Sequence, residues 1–192
     1  MACPVHILSL WQRMCHDEGE KAYRMIFDYF YDRLLRFAIS YISIREEAEE
    51  IVLDVFVNVW LHREKLKKIQ SPDTYLFISV RNRCLNYFRH SSRSSSYVVN
   101  DSGQAADLTD RSDPQKEIEL KQLHTTLENA MNQLPLQSRL VFKLIREEKM
   151  TYKEVAEILQ ISVRTVETHL QRAIQKLRVI LREQITEYNI RK

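Results

Sequence analysis

The chain has 192 residues, with 29 Lys and Arg against 26 Asp and Glu, 44% apolar residues, three cysteines and two glycines. That length suits one ordinary domain or two small ones, and the apolar share is enough to build real cores. Gly19 and Gly103 lie too far apart to share a phosphate-cradling loop, and sheet folds need more glycine at their turns; nucleotide-binding α/β folds and most β folds are therefore disfavoured.

The chain opens on MACPVHILSLWQRM, an apolar stretch without a basic start and broken by Ser9. It does not read as a signal peptide, and residues 1–17 stand as an extension ahead of the first module. Nowhere is there an apolar run of about 18 residues, so no membrane span is expected. Three cysteines with no C-x-x-C spacing fit a reduced, cytoplasmic setting. Cys3, His6, Cys15 and His16 match no tetrahedral zinc pattern; neither a metal nor a cofactor is expected.

Residues 18–90 read as a first helical module. Ala22, Ile26, Phe30, Leu34, Phe37 and Tyr41 recur at steps of three and four, which makes one apolar stripe with Arg24, Asp28, Asp32 and Arg36 opposite. A second helix is expected from about Arg45 to Leu61, acidic in its first turn as the helix dipole favours. Ala48, Ile51, Val52, Val55, Phe56, Val59 and Trp60 form its apolar face. Ser71-Pro72 marks a fresh start, with Ser71 as cap and Pro72 in the first turn. The helix that follows mixes Tyr75, Leu76, Ile78, Val80, Leu85 and Phe88 with Arg81, Asn82, Arg83, Asn86 and Arg89.

Residues 91–116 are rich in Ser and Asp and show no apolar period, which predicts a flexible linker. A second module is expected over 117–186, followed by a short tail, 187–192. Leu120, Leu123, Leu127, Ala130 and Leu134 form one stripe, and Pro135 starts the next helix, with Val141, Phe142, Leu144 and Ile145 apolar. Charge follows the same division. Residues 61–90 hold seven basic and two acidic residues, 91–120 three and six, and 121–192 thirteen and eight. Two basic segments around an acidic connector suggest two surfaces for a polyanion. The expected fold is all-α, two modules.

Residues 151–178 read as a helix-turn-helix. Thr151 and Glu154 have capping-box spacing, Ala156 is small where two helices should cross, and Ser162 caps the second helix. Gln160 stands at the turn where glycine is usual, because the backbone there is commonly left-handed. Val166, Leu170, Ala173, Ile174 and Leu177 form the buried stripe of the second helix. That leaves Arg164, Thr165, Thr168, His169, Gln171, Arg172 and Gln175 outward, donors and acceptors suited to base edges and phosphates in a major groove.

With these elements in order, the chain resembles the bacterial RNA polymerase sigma factors of the extracytoplasmic-function group. The stretches that carry the resemblance are FDYFYDRLLRFAISYI, AEEIVLDVFVNVW, TYLFISVRNRCLNYFR, LPLQSRLVFKL and MTYKEVAEILQISVRTVETHLQRA. It implies that residues 18–90 dock on core RNA polymerase and melt promoter DNA, and that residues 117–186 read a more distant promoter element. Glu50, Asp54, Asn58 and Trp60 are implied docking residues, with Leu53 a departure from the family's frequent Gln. Asn82 and Asn86 are implied readers of an extruded base, with Arg81, Arg83 and Arg89 on phosphates and Tyr75, Phe77 and Tyr87 as stacking candidates. The loop from His62 to Asp73, with Lys65, Lys67 and Lys68, matches the family's specificity loop in position. Arg164, Thr168 and Arg172 lead at the distant element, then Thr165, His169 and Gln171; Glu167 stands where the family often has a base.

The implied function is a transcription initiation factor with no chemistry of its own, a monomer when free, with no small-molecule substrate. Its implied partners are core polymerase, promoter DNA and an anti-sigma protein. A free-standing helix-turn-helix regulator is the alternative. An enzyme is disfavoured, since the chain has no H-E-x-x-H, no Gly loop and no paired carboxylates with a separate base.

Overall fold

The structure, a computed structural model, describes residues 4–16, 19–91 and 125–190. Among them the secondary structure is entirely helical. The first module holds α1 (Pro4–Met14), α2 (Gly19–Ile39), α3 (Arg45–His62), a 3₁₀ turn (Arg63–Leu66) and α4 (Pro72–Ser91). The second holds α5 (125–132), α6 (Leu136–Arg146), α7 (Tyr152–Leu159) and α8 (Val163–Ile190). Among the described residues no helix is long and apolar enough to cross a membrane. The expected linker from residue 92 onward, Leu120 and Leu123, and Cys3 of the N-terminal group lie outside the described residues.

The stripe read on α2 is the centre of the first core: Ala22, Ile26, Phe30 and Leu34 are all buried, as are Phe37 and Tyr41. On α3, Ala48, Val52, Val55, Phe56 and Val59 face it. From α4 come Leu76, Phe77, Val80 and Cys84. The Ser71 hydroxyl meets Thr74 Oγ1 at 2.8 Å and the Ser71 carbonyl accepts from the Tyr75 N–H at 3.0 Å, which sets the first turn of α4.

The α1 helix packs into the first core. Ile7, Leu10, Trp11 and Met14 recur at helical spacing, and all four are buried. The α1 helix packs against α2 and α4. Trp11 is fully enclosed; its indole N–H donates to the Leu66 carbonyl at 3.2 Å, and its ring meets Tyr75 edge-on at 5.8 Å. An apolar run near a chain end is ambiguous by pattern alone. Only the facing surfaces of α2 and α4 make it a core helix.

In the second module α6, α7 and α8 pack around Leu140, Val141, Leu144, Val155, Ile158, Val166 and Leu170. Beyond them Ala130, Met131 and Leu134 of the α5 end pack on Ala173, Leu177 and Ile180 of α8. The two modules are not separate bodies. Their buried residues form one continuous apolar cluster, with α7 lying against α4.

Candidate nucleic-acid interface

The helix-turn-helix is built as its residues dictate. Thr151 Oγ1 accepts from the Glu154 N–H at 3.3 Å, while the Glu154 carboxylate accepts from the Thr151 N–H at 2.8 Å. This reciprocal box satisfies donors that the first turn would otherwise leave unpaired. At the turn, Gln160 takes φ 54° and ψ 47°, a left-handed conformation. That geometry lets the Gln160 N–H reach the Ala156 and Glu157 carbonyls and the Ile161 N–H reach Ala156 at 3.0 Å. Ser162 then caps α8, accepting from the Thr165 N–H at 3.0 Å.

These constraints aim α8. With Val166, Leu170 and Ala173 buried, Arg164, Thr168, Gln171, Arg172 and Gln175 form an exposed strip along the opposite side. Thr168 donates back to the Arg164 carbonyl at 2.9 Å, which steadies its hydroxyl without covering it. Two of the residues read as outward are placed otherwise. Thr165 is half-buried with its hydroxyl against Ser162 at 2.8 Å, so it belongs to the cap. His169 is half-buried, with Nδ1 3.2 Å from the Ser138 hydroxyl of α6. Burial, and then the neighbouring Arg172 charge, push its imidazole below the ordinary histidine value. The histidine ties α6 to α8 in its neutral form.

On α4, Asn82 and Asn86 are exposed one turn apart. Two arginines lean on them: Arg81 donates to Asn82 Oδ1 at 3.2 Å and Arg89 to Asn86 Oδ1 at 3.4 Å. Arg83 turns away and pairs with Asp54 of α3 at 2.8 Å. Of the stacking candidates, Phe77 is fully buried against Phe37 and serves the core. Tyr75 packs on Trp11, and Tyr87 on Phe88.

The α3 surface holds more than the sequence reading took from it. Glu50, Asp54 and Asn58 are exposed at successive turns, with Asn58 Nδ2 donating to the Asp54 carbonyl at 2.7 Å. Trp60 is instead half-buried, packed on Tyr23 at 4.9 Å and covered by the Arg63 guanidinium at 4.2 Å. Beside the polar row runs an apolar one that was missed: Leu53, Val57 and Leu61 are 44%, 51% and 66% exposed. A helix apolar on nearly every side was its signal, because the module's own core can use one face only.

Two sequence models of one family match the chain: "Sigma-70 region 2" over residues 26–94 and "Sigma-70, region 4" over residues 124–177. No curated protein sequence matches at a significant level. Among solved structures, the chain is similar to CnrH, solved in complex with the cytosolic domain of CnrY. The TM-score is 0.60 and the identity 20%, over 92% of this chain and 97% of that one. It is also similar to the sigma factor RpoE from Bartonella quintana, solved with the anti-sigma factor NepR, at TM-score 0.64 and 21% identity, over 84% and 98% of the two chains. With region 2 and region 4 matched in order on the two helical modules, the chain belongs to the sigma-70 family of transcription initiation factors.

Proposed function

We propose that the chain is a sigma factor of the extracytoplasmic-function type, acting in the cytoplasm with core RNA polymerase and carrying no catalysis of its own. The first module docks on the polymerase through the exposed α3 surface. Leu53, Val57 and Leu61 supply apolar contact, and Glu50, Asp54 and Asn58 give it polarity and register. The α4 strip of Asn82 and Asn86, backed by Arg81 and Arg89, holds extruded bases by their polar edges while the arginines meet phosphates. The second module reads duplex DNA through Arg164, Thr168, Gln171 and Arg172 of α8. The protein CnrH and RpoE resemble in fold this chain, and both were solved with a bound partner; an anti-sigma protein is accordingly the proposed regulator here.

What supports this most is the outward polar strip of α8, positioned by two caps and a left-handed turn, on the module that matches region 4. The net charge of +3 is modest for a free DNA binder and suits one that reaches promoters as a polymerase subunit. Co-purification with bacterial core RNA polymerase tests the reading. Stoichiometric binding is expected, lost in Val57→Asp, with promoter-specific run-off transcription weakened in Arg172→Ala. Absence of polymerase binding together with sequence-specific duplex binding by the chain alone would make it a free-standing regulator.

A further inference from the structure

One charge on the outward side of α8 has the wrong sign for a surface that meets phosphates. Glu167 follows the buried Val166 and is itself exposed, three residues after Arg164 and four before Gln171. Residues at those spacings stand side by side on a helix, about 5–6 Å apart at Cβ. Glu167 therefore shares the face that holds Arg164, Thr168 and Gln171, and the two caps that aim this face aim the carboxylate with it.

The fold gives this carboxylate no task. Glu154 closes the capping box of α7 and Glu148 pairs with Arg33, whereas Glu167 has no ion-pair or hydrogen-bond partner among the described residues. It also lies beyond the first turn of α8, which begins at Val163, so the helix dipole does little for it. A carboxylate carried into a major groove gives up water and stands among phosphates. It is tolerated there only opposite a donor.

The base edges offer that donor selectively. Cytosine shows its N4 amino group to the major groove with no acceptor of its own beside it, whereas adenine sets N7 next to its N6 amino group. Guanine presents O6 and N7, and thymine O4, all acceptors that oppose a carboxylate. We propose that Glu167 is a specificity-determining residue, accepting from a cytosine N4 amino group in the distant duplex element, beside the bases met by Arg164 and Gln171. The inference rests on the proposed reading of duplex DNA by α8. Much of the selectivity is exclusion, since guanine or thymine at this position leaves the carboxylate desolvated and unpaired. The same charge weakens binding to unrelated duplex, where no cytosine is placed to meet it.

Selection of bound duplexes from a randomised pool tests this, with the full chain alone and with core RNA polymerase, followed by competition binding at one salt concentration. The native chain should enrich cytosine at one position, with guanine and thymine there disfavoured about fivefold or more. Glu167→Gln should move that preference towards adenine, whose N6 and N7 match an amide bidentately. Glu167→Ala should flatten it, and both variants should bind unrelated duplex more tightly. The position is exposed, so circular dichroism should be unchanged and preferences elsewhere in the element should persist. Base preferences that are the same in the native chain and both variants overturn the proposal. So does loss of a guanine preference in place of the cytosine one, which would make Glu167 a support for Arg164. Failure of the proposed function reads differently: the native chain then enriches no sequence in either form, and the inference falls with it.

Discussion

Removing the Trp11 side chain tests whether the N-terminal helix is part of the first core or a dispensable cover. The indole is fully enclosed between α2, α4 and the 3₁₀ turn, and Trp11→Ala leaves a large cavity there. Large aromatic truncations in cores cost about 3–5 kcal/mol. The lost hydrogen bond adds little, because the Leu66 carbonyl also accepts from the Ile69 N–H at 3.1 Å and is not orphaned; a net loss of about 0.5–1 kcal/mol is expected for it. The sum, about 3.5–6 kcal/mol, is a large part of the roughly 5–15 kcal/mol that holds an ordinary domain folded. Trp11→Phe keeps most of the packing and should cost roughly 1–2 kcal/mol. Gln12→Ala, at the exposed neighbouring position, should stay within about 0.5 kcal/mol of the native chain. Urea unfolding followed by circular dichroism at 222 nm reads all three on one scale. If Trp11→Ala unfolds at the native midpoint with an unchanged slope, the helix contributes no core and the argument fails.

Two further expectations concern the helix-turn-helix. Gln160→Gly relieves a left-handed conformation that costs an L-residue about 1–2 kcal/mol, less roughly 0.4–1 kcal/mol from the freer unfolded chain. A net gain of up to about 1.6 kcal/mol in thermal or urea unfolding is expected, and a destabilised variant would contradict the turn assignment. His169, whose folded value lies below 6.5, takes up its proton more readily in the unfolded chain. Its contribution is therefore intact above about pH 6.5 and is lost as pH falls through the depressed folded value. The unfolding midpoint of the native chain should drop relative to His169→Gln over that acid range. Parallel pH profiles for the two proteins would show that burial and the Arg172 charge do not hold the ring neutral.

Much of this protein is local in origin and legible residue by residue. The stripes of α2 and α3 are a 3.6-residue period, and the Thr151–Glu154 box and the Ser162 cap depend on spacings of three. The left-handed turn at Gln160 follows from where two helices must change direction. The exposed strip of α8 was legible for the same reason, since fixing its buried stripe fixes the opposite side. Side chains at the border between the two faces were not. Thr165 and His169 lie within reach of Ser162 and of Ser138 on another helix, and those contacts, not periodicity, decide that they turn inward.

What the tertiary structure alone decided is how faces meet. Trp11 is core because α2 and α4 enclose it, and Trp60 is half-buried because Tyr23 and Arg63 pack on it. Leu53, Val57 and Leu61 are surface because the first core is complete without them. The docking of one module on the other brings Arg33 and Glu148 together at 2.6 Å, although they are 115 residues apart. No periodicity couples positions at that distance. A local pattern determines which side of a helix is apolar, but which surface covers it is settled by shape and charge that only the folded chain brings together.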